Sequence, residues 1–363
     1  MGSFSLHSIY PSFLFQAFRK QNLAIGLDIG SHAVKICELT ESGRGYHLNR
    51  VGSAVLPANV IEDGVLQDPA AVAQVITSLL QNLDIKGKKV AISISGYSVI
   101  VKKINLAVMA EKELEEYIMT EAEQYIPFDI DDVYPDYQDL KTGISKEQRT
   151  DVMLAAAKRD VVDGFLEMLK AAGLLAVVVD VDAFALENSY TANYGTEENV
   201  ALIDIGASKM NINVLQRGVS VLARDIGMGG RQLTEQIQGR FGISIDEAEA
   251  IKTGMVSAEE KAAELEKIFA GTCSQWGIEI KRALDFYYSN HPEEPITKMA
   301  LGGGGARIKG LDDYLRHETG IDVEIFNPFM KITADAKIDA DYLQAVAPEM
   351  ALCVGLATRP VEV

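Results

Sequence analysis

Two segments of this chain set an aspartate inside an apolar, strand-like run that ends in a glycine turn: IGLDIGS at 25–31 and LIDIGAS at 202–208. An aspartate in a strand core is a cost unless its charge is met. Here the spacing offers a chemistry that meets it. A hairpin with glycine at its tip lets backbone N–H groups approach an anion, and Ser31 or Ser208 can add a hydroxyl. An aspartate one residue from such a tip repels phosphate, but it can bind a divalent cation, or that cation's water shell, which neutralises the phosphates. Lys35 stands two apolar alternations past the first turn, where it either reaches the same phosphates or lies on the surface.

The two segments align without a gap: Asp28 on Asp204, Gly30 on Gly206, Ile36 on Ile212. A single I-D-I-G is ordinary strand-plus-turn chemistry. Two copies, each opening its own α/β half and too far apart for a solenoid repeat, point to a duplicated domain. The other glycine-rich signals are 302–305 and Gly229-Gly230. The first is not a phosphate loop of the GxxxxGK type, because Leu311 stands where lysine is required, and Arg307 and Ile308 break GxGxxG. It is a strand-to-helix turn without side chains, against which a base or ribose can pack flat. Gly229-Gly230 precede a helix whose N-terminus can face phosphate.

The elements that must position these residues follow from pattern. Ile25, Leu27 and Ile29 alternate in a first strand, Gly30-Ser31 turns, and a second strand resumes at Val34. A helix over 68–83 opens on Asp68 with Pro69 at its first position. Residues 88–96 form a buried strand. The block 97–170 then reads strand–helix–strand–strand–helix, with a charged helix stopping at Pro127 and a polar turn at KTGISKEQR, an inserted α/β module. LLAVVVDVDAFALENSY is a strand running into a helix. Strands follow from 199, a capping box joins Ser244 to Glu247, a long charged helix covers 257–288, and PEMALCVGLATRP closes the chain as a helix.

Length and composition set bounds. The 363 residues predict about two domains, and 48% apolar content a folded globular chain. A net charge of −18 opposes nucleic-acid binding and broad docking on anionic lipid. Cys37, Cys273 and Cys353 have neither disulfide nor zinc spacing and read as small hydrophobes in a reducing compartment. The five histidines show no ligand spacing, and DIDDVYPD lacks the glycine of an EF-hand loop. The aromatic N-terminal segment has its charges, Arg19 and Lys20, after the apolar part, the reverse of a secretory signal.

In this order the elements resemble the actin, sugar-kinase and DnaK-type chaperone superfamily. IGLDIGSHAVKI looks like its first phosphate motif, VALIDIGASKMNINV its second and MALGGGGARIKGL its adenosine motif. From about Leu23 to the C-terminus the chain most resembles the PilM family of type IV pilus assembly proteins, through EAEQYIPFD, VVDVDAFALENSY and the SIDEAEAIKTG helix. The cell-division protein FtsA is a more distant likeness.

The resemblance implies an actin-like, duplicated ribonuclease-H-like two-domain fold, with a nucleotide cleft and an inserted small α/β subdomain. Its parts would be an extension over 1–22, subdomain 1A over 23–96, 171–198 and 338–363, and an inserted 1C-like module over 97–170. Subdomain 2A would take 199–235 and 296–337, and 2B 236–295. Carried over by position, Asp28 and Asp204 organise Mg²⁺, while Gly30, Ser31, Gly206 and Ser208 hold the phosphates of ATP or ADP, with Lys35 a further candidate from its place past the turn. Gly229 and Gly230 line the phosphate side. Glu249 and Lys252 reach adenine or ribose opposite Gly302, Gly303, Gly304 and Gly305, or are a plain surface ion pair. The superfamily's water-positioning residue starts the helix after the insert. Asp180 is assigned that place with Asp182 as second choice, and so short a side chain implies at most slow hydrolysis.

Three functions follow. In the leading one the protein is a nucleotide-loaded adaptor on the cytoplasmic side of the bacterial inner membrane. It holds the N-terminal tail of the membrane protein PilN between main domain and insert, and meets the pilus motor ATPases and the platform protein. Self-association is a further option. An FtsA-like membrane-tethered filament is the second; the C-terminal GLATRPVEV is not a basic amphipathic helix, leaving IYPSFLFQAFRK as candidate tether. A small-molecule kinase is the third, without an evident sugar-binding set in the insert.

Overall fold

The computed structural model describes residues 22–43, 45–140 and 149–361. The N-terminal extension with its candidate tether, through residue 21, and all but the last residue of the KTGISKEQR turn lie outside them.

The first half opens with β1 (Ile25–Ile29), β2 (Ala33–Ser42) and β3 (Gly45–Val55), an antiparallel meander. A short hairpin, β4 (Ile61–Glu62) with β5 (Val65–Leu66), leads to α1 (Pro69–Asn82). Asp68 caps that helix by accepting from the Ala71 N–H at 3.0 Å, and Pro69 occupies the first turn, where a missing N–H is harmless. β6 (Lys89–Ile94) runs parallel to β1.

The insert follows: β7 (Val99–Ala107), α2 (Glu111–Glu121), β8 (Val133–Asp139) and β9 (Arg149–Lys158). Its antiparallel sheet has the order β7-β9-β8 and its own core around Ile104, Leu114, Ile118 and Val152. α2 ends sooner than Pro127, passing into a 3₁₀ turn at Ala122–Gln124. α3 (Arg159–Ala171) buries Val162, Phe165, Met168 and Leu169 with α1 in the core of the first half. That helix therefore flanks the main sheet and is no part of the insert's core. It is the crossover between β6 and the parallel β10 (Leu175–Val181), which the insert interrupts. α4 (Asp182–Tyr194) follows directly.

The second half repeats the plan. β11 (Val200–Ile205), β12 (Met210–Gln216) and β13 (Val219–Ile226) form a meander. α5 (Gly230–Phe241), α6 (Ile245–Lys252) and α7 (Ala262–Asn290) lead to β14 (Lys298–Gly302), α8 (Leu311–Thr319) and β15 (Asp322–Ile325). The chain then rejoins the first sheet through β16 (Thr333–Ala334), earlier than the boundary read at 338, and closes with α9 (Ala340–Val346) and α10 (Ala351–Ala357). Strand orders β3-β2-β1-β6-β10 and β13-β12-β11-β14-β15 are the same topology twice, with β16 added at one edge.

Helices α4 and α10 cross between the two sheets at small residues. A Cβ on Gly355 would fall 1.8 Å from the Ala185 carbonyl oxygen, and one on Gly26 2.1 Å from that of Cys353. The three cysteines are buried, as expected of small apolar fillers.

Candidate functional site

The duplicated hairpins meet tip to tip. Ser31 Oγ and Ser208 Oγ lie 2.8 Å apart, and Arg231 Nη2 donates to the Ser31 carbonyl at 3.1 Å. Both turns close alike: the Gly30 N–H donates to the Ala33 carbonyl at 3.1 Å, and the Gly206 N–H to that of Lys209 at 2.9 Å.

Behind the tips the copies diverge. Across β2 from Asp28 stands Lys35, whose Nζ donates to Asp28 Oδ2 at 2.7 Å. Burial opposes the Lys35 charge, yet Asp28 and Asp204 together hold its pKa above the usual range. Lys35 is therefore largely buried beside Asp28 and does not lie on the surface. The corresponding partner of Asp204 on β12 is neutral Asn211. Burial, reinforced by the Asp28 and Asp182 charges and only partly relieved by Lys35, pushes the Asp204 carboxyl up to about 7. Gly302, opposite Asp204 on β14, leaves room for it; a Cβ there would sit 3.1 Å from Asp204 Oδ1.

The two aspartates after the insert do different things. Asp180 is not at the helix start: it is buried at the end of β10, where Arg359 grips Oδ2 with Nη2 at 2.5 Å and Nε at 2.7 Å. Asp182 is the first residue of α4, the reverse of the ranking read from sequence. Its Oδ2 accepts from Lys209 Nζ at 2.6 Å, and Lys209 also donates to Ser95. Burial works against the Asp182 charge, but Lys209 and the serines 93 and 95 hold its pKa below the usual value.

Gly229 must lack a side chain, since a Cβ would lie 2.5 Å from the Ala207 carbonyl oxygen. The N–H groups of Gly230 and Arg231 donate to the carbonyls of Gly206 and Ala207 at 2.9 and 2.8 Å. The N-terminus of α5 thus steadies the second tip. Glu249 and Lys252 are an ion pair at 2.7 Å, with Lys252 buried and also donating to Thr234 Oγ1 at 3.1 Å. Both face His32 of the first tip, whose pKa is lowered, chiefly by burial. In the glycine run, Gly303 has φ +75°, and a Cβ on it or on Gly305 would strike Ile205. Gly304 alone of the four has open space. Three of these glycines serve close packing on the second hairpin, and one presents a bare surface.

Sequence reasoning missed Lys209, Asn211, Asp225, Glu349 and Arg359. Asn211 and Asn213 interrupt the apolar strand MNINVL at alternate positions, a signal that was there to read. Asp225 sits beside Asn211 on β13 and accepts from its Nδ2 at 2.8 Å; its other oxygen accepts the Gly96 N–H at 2.5 Å. Glu349 pairs with Arg307 at 2.6 Å and acts on both His32 and Lys35, which sets it at the cleft.

A cavity of about 430 Å³ opens where the halves and the insert meet, lined among others by Tyr97, Val101, Phe128, Lys209 and Asn211. Its walls include β7 and β13, each paired on one side only among the described residues. Among the described residues no helix is long and apolar enough to cross a membrane. Nor do three His, Cys, Asp or Glu side chains gather there as a metal cage.

Two sheets of one topology, each sending a hairpin into a shared cleft, define an actin-like fold. The profile of the type IV pilus assembly protein PilM family matches residues 26–361, and the chain belongs to that family. It is similar to the solved PilM-PilN type IV pilus biogenesis complex, with 30% identity, a TM-score of 0.83, and 94% of this chain and 100% of that one covered. The ethanolamine utilization protein EutJ from Carboxydothermus hydrogenoformans shares the fold at 15% identity and TM-score 0.56, over 94% and 91% of the two chains. So does MreB 5 of Spiroplasma citri, solved with AMPPNP, at 13% and 0.52, over 93% and 95%. Cell division protein FtsA of Bacillus subtilis is 22% identical over 278 residues, 69% of this chain. The chain spans 62% of that relative's length.

Proposed function

We propose that this protein is a nucleotide-loaded adaptor of the type IV pilus machinery. In this reading the facing tips clamp the phosphates of ATP or ADP, and the cavity beside the insert holds the N-terminal cytoplasmic tail of PilN. The reading of the cleft rests on one observation above all: two copies of the same hairpin touch through Ser31 and Ser208 with an aspartate behind each. The donor set fits Mg²⁺. Asp204 carries a carboxyl that Lys35 only partly offsets, Asp28 stands opposite, and two carboxylates suit an ion that keeps its waters and takes phosphate oxygens as further ligands. Bound there, the ion would supply charge neutralisation for the phosphates.

The chain's own residues then hold and orient. Gly30 and Gly206 let the tips approach the phosphates, Ser31 and Ser208 exchange their mutual contact for phosphate oxygens, and Lys35 lends its charge from beside Asp28. Gly304, Glu249 and Lys252 face the nucleoside side. Asp182 and Asp180 are engaged by Lys209 and Arg359, so neither is a ready base toward a water, and hydrolysis is slow. Nucleotide acts mainly as a structural ligand.

For the tail, the edges of β7 and β13, unpaired among the described residues, offer backbone hydrogen bonds to an extended peptide, and Val101, Pro127 and Phe128 offer apolar contact. Tyr97, 77% exposed at the rim, is the natural anchor. The protein would sit through PilN at the cytoplasmic face of the inner membrane, within reach of the pilus motors and the platform protein. Calorimetry with a synthetic PilN tail tests this: tight binding by the wild type, weakened roughly tenfold in Tyr97→Ala, supports it. No binding with or without Mg-ATP sinks it.

A further inference from the structure

The parallel strands β1, β6 and β10 run in one direction, so their starts share one end of the first sheet and their far ends lead to Ser31, Ser95 and Asp182 at the cleft. At the end opposite the cleft, between α1 and β6, the chain reads DIKGKK, with Lys86, Lys88 and Lys89 all exposed. Lys170, in the last turn of α3, is exposed at the same end. Lys86 meets Asp84 at 2.5 Å, whereas Lys88, Lys89 and Lys170 have no carboxylate partner among the described residues. Beside them Leu175, the register partner of Lys89 at the start of β10, is 55% exposed.

A cation beyond a helix C-terminus has an ordinary structural use, since it meets the negative end of the helix dipole. The duplicated half shows that the fold does not require it. By strand order β14 is the counterpart of β6, and the turn leading into it from α7 reads HPEEP, with Glu293 exposed, Glu294 half-buried and no cation in the last turn of the helix. The same turn is thus built with either sign of charge, and in a chain of net charge −18 the lysines stand against the prevailing sign. The chain also enters the fold here. The Val361 N–H donates to the Asn22 carbonyl at 2.7 Å, and a Cβ on Gly87 would fall 2.7 Å from Ile25 Cδ1. The sequence that arrives at Asn22 holds Phe13, Leu14, Phe15 and Phe18, then Arg19 and Lys20.

We infer that the lysine-bearing end of the first half is a surface for anionic phospholipid. Lys88, Lys89 and Lys170 meet the head-group phosphates, and Leu175 gives apolar contact. Attraction between a cation and an anionic bilayer falls off within a Debye length, so a local patch suffices while the acidic remainder confines the contact to this end. The choice of lipid over an acidic protein rests on the apolar, aromatic sequence that arrives beside the lysines, because an apolar segment next to a basic patch is the pairing that holds peripheral proteins on a bilayer. The surface is separate from the nucleotide clamp and the peptide groove. It sets the protein on the bilayer without PilN, with the cleft at the far end.

Flotation of the full-length protein, without PilN, on vesicles of phosphatidylcholine with phosphatidylglycerol and on vesicles of phosphatidylcholine only tests this. Two double variants remove the same charge from different places: Lys88→Gln with Lys89→Gln, and Lys267→Gln with Lys281→Gln at exposed positions of α7. Each is checked for folding by thermal melting. The wild type should float with the phosphatidylglycerol vesicles and not with the others, less so as salt rises. The Lys88 and Lys89 double should bind them roughly tenfold or more weakly, and the Lys267 and Lys281 double within about twofold of wild type. No flotation of the wild type, or equal flotation on both kinds of vesicle, overturns the surface; a dimer lost in the Lys88 and Lys89 double would then assign these lysines to a second copy. Equal losses in the two doubles overturn it as a net-charge effect, and unchanged binding of the first leaves the N-terminal segment as the tether and overturns it too. None of these outcomes bears on the groove reading, since no PilN is present.

Discussion

The two hairpins share a sequence pattern, a turn geometry and a place in the sheet, yet their aspartates differ at a single cross-strand position. Asp28 faces Lys35 and is paired at 2.7 Å; Asp204 faces Asn211 and is pushed up to about 7. Duplication gave both halves the same backbone, and the residue seven places on decides what each carboxylate does. The first hairpin is electrostatically complete without a ligand. The second is not, and under the proposed function a cation delivered with phosphate would complete it. A buried carboxyl pushed toward its neutral form marks, in the proposed clamp, the half where a bound cation would gain most.

The largest expected effect lies on the paired side. Lys35→Met leaves Asp28 buried without its cation and lowers stability by about 3 kcal/mol in denaturant melts. Asn211→Leu, the same position in the other copy, costs about 1 kcal/mol. Equal losses would erase the distinction between the copies. Next, stability without ligand should fall as pH rises from 5 to 8, the Asp204 loss exceeding the smaller opposite contribution of His32, whose lowered pKa makes stability rise with pH up to about 6.5. The raised Asp204 pKa means the folded state keeps a proton that the unfolded chain loses above 3.8, so its stabilisation fades as pH climbs through about 7. Asp182, held low, has the opposite sense, but its contribution is complete above the unfolded value of 3.8 and adds no slope in this window. Asp204→Asn should flatten the profile; an unchanged slope would place the titration elsewhere. The smallest effect is the most pointed. Asn211→Lys installs the first hairpin's pairing on the second, and the same pH profile should lose roughly half its slope or more as Asp204 gains a cation.

Much of this was legible in the chain. The strand alternation of Ile25, Leu27 and Ile29, the Asp68-Pro69 helix start and the paired I-D-I-G segments led to the duplicated sheets, because each signal is local and periodic. What could not be read were partners brought together from afar. Arg359 closes on Asp180 only once the C-terminal segment has folded back beside β1, and that contact makes Asp180 a buried anchor. Lys209 reaches Asp182 from the other half of the molecule. The glycines of 302–305 suggested a nucleotide surface, whereas Gly303 and Gly305 owe their identity to Ile205 on the neighbouring strand, which no spacing within the run discloses.

Titrating ATP into the protein with and without Mg²⁺ tests most directly whether the two hairpins close on a Mg²⁺-nucleotide. Wild type should bind with Mg²⁺ present. Asp204→Ala should lose roughly tenfold or more of that affinity while keeping the weak, Mg²⁺-independent binding. Equal affinity of wild type and Asp204→Ala in the presence of Mg²⁺ would contradict the account.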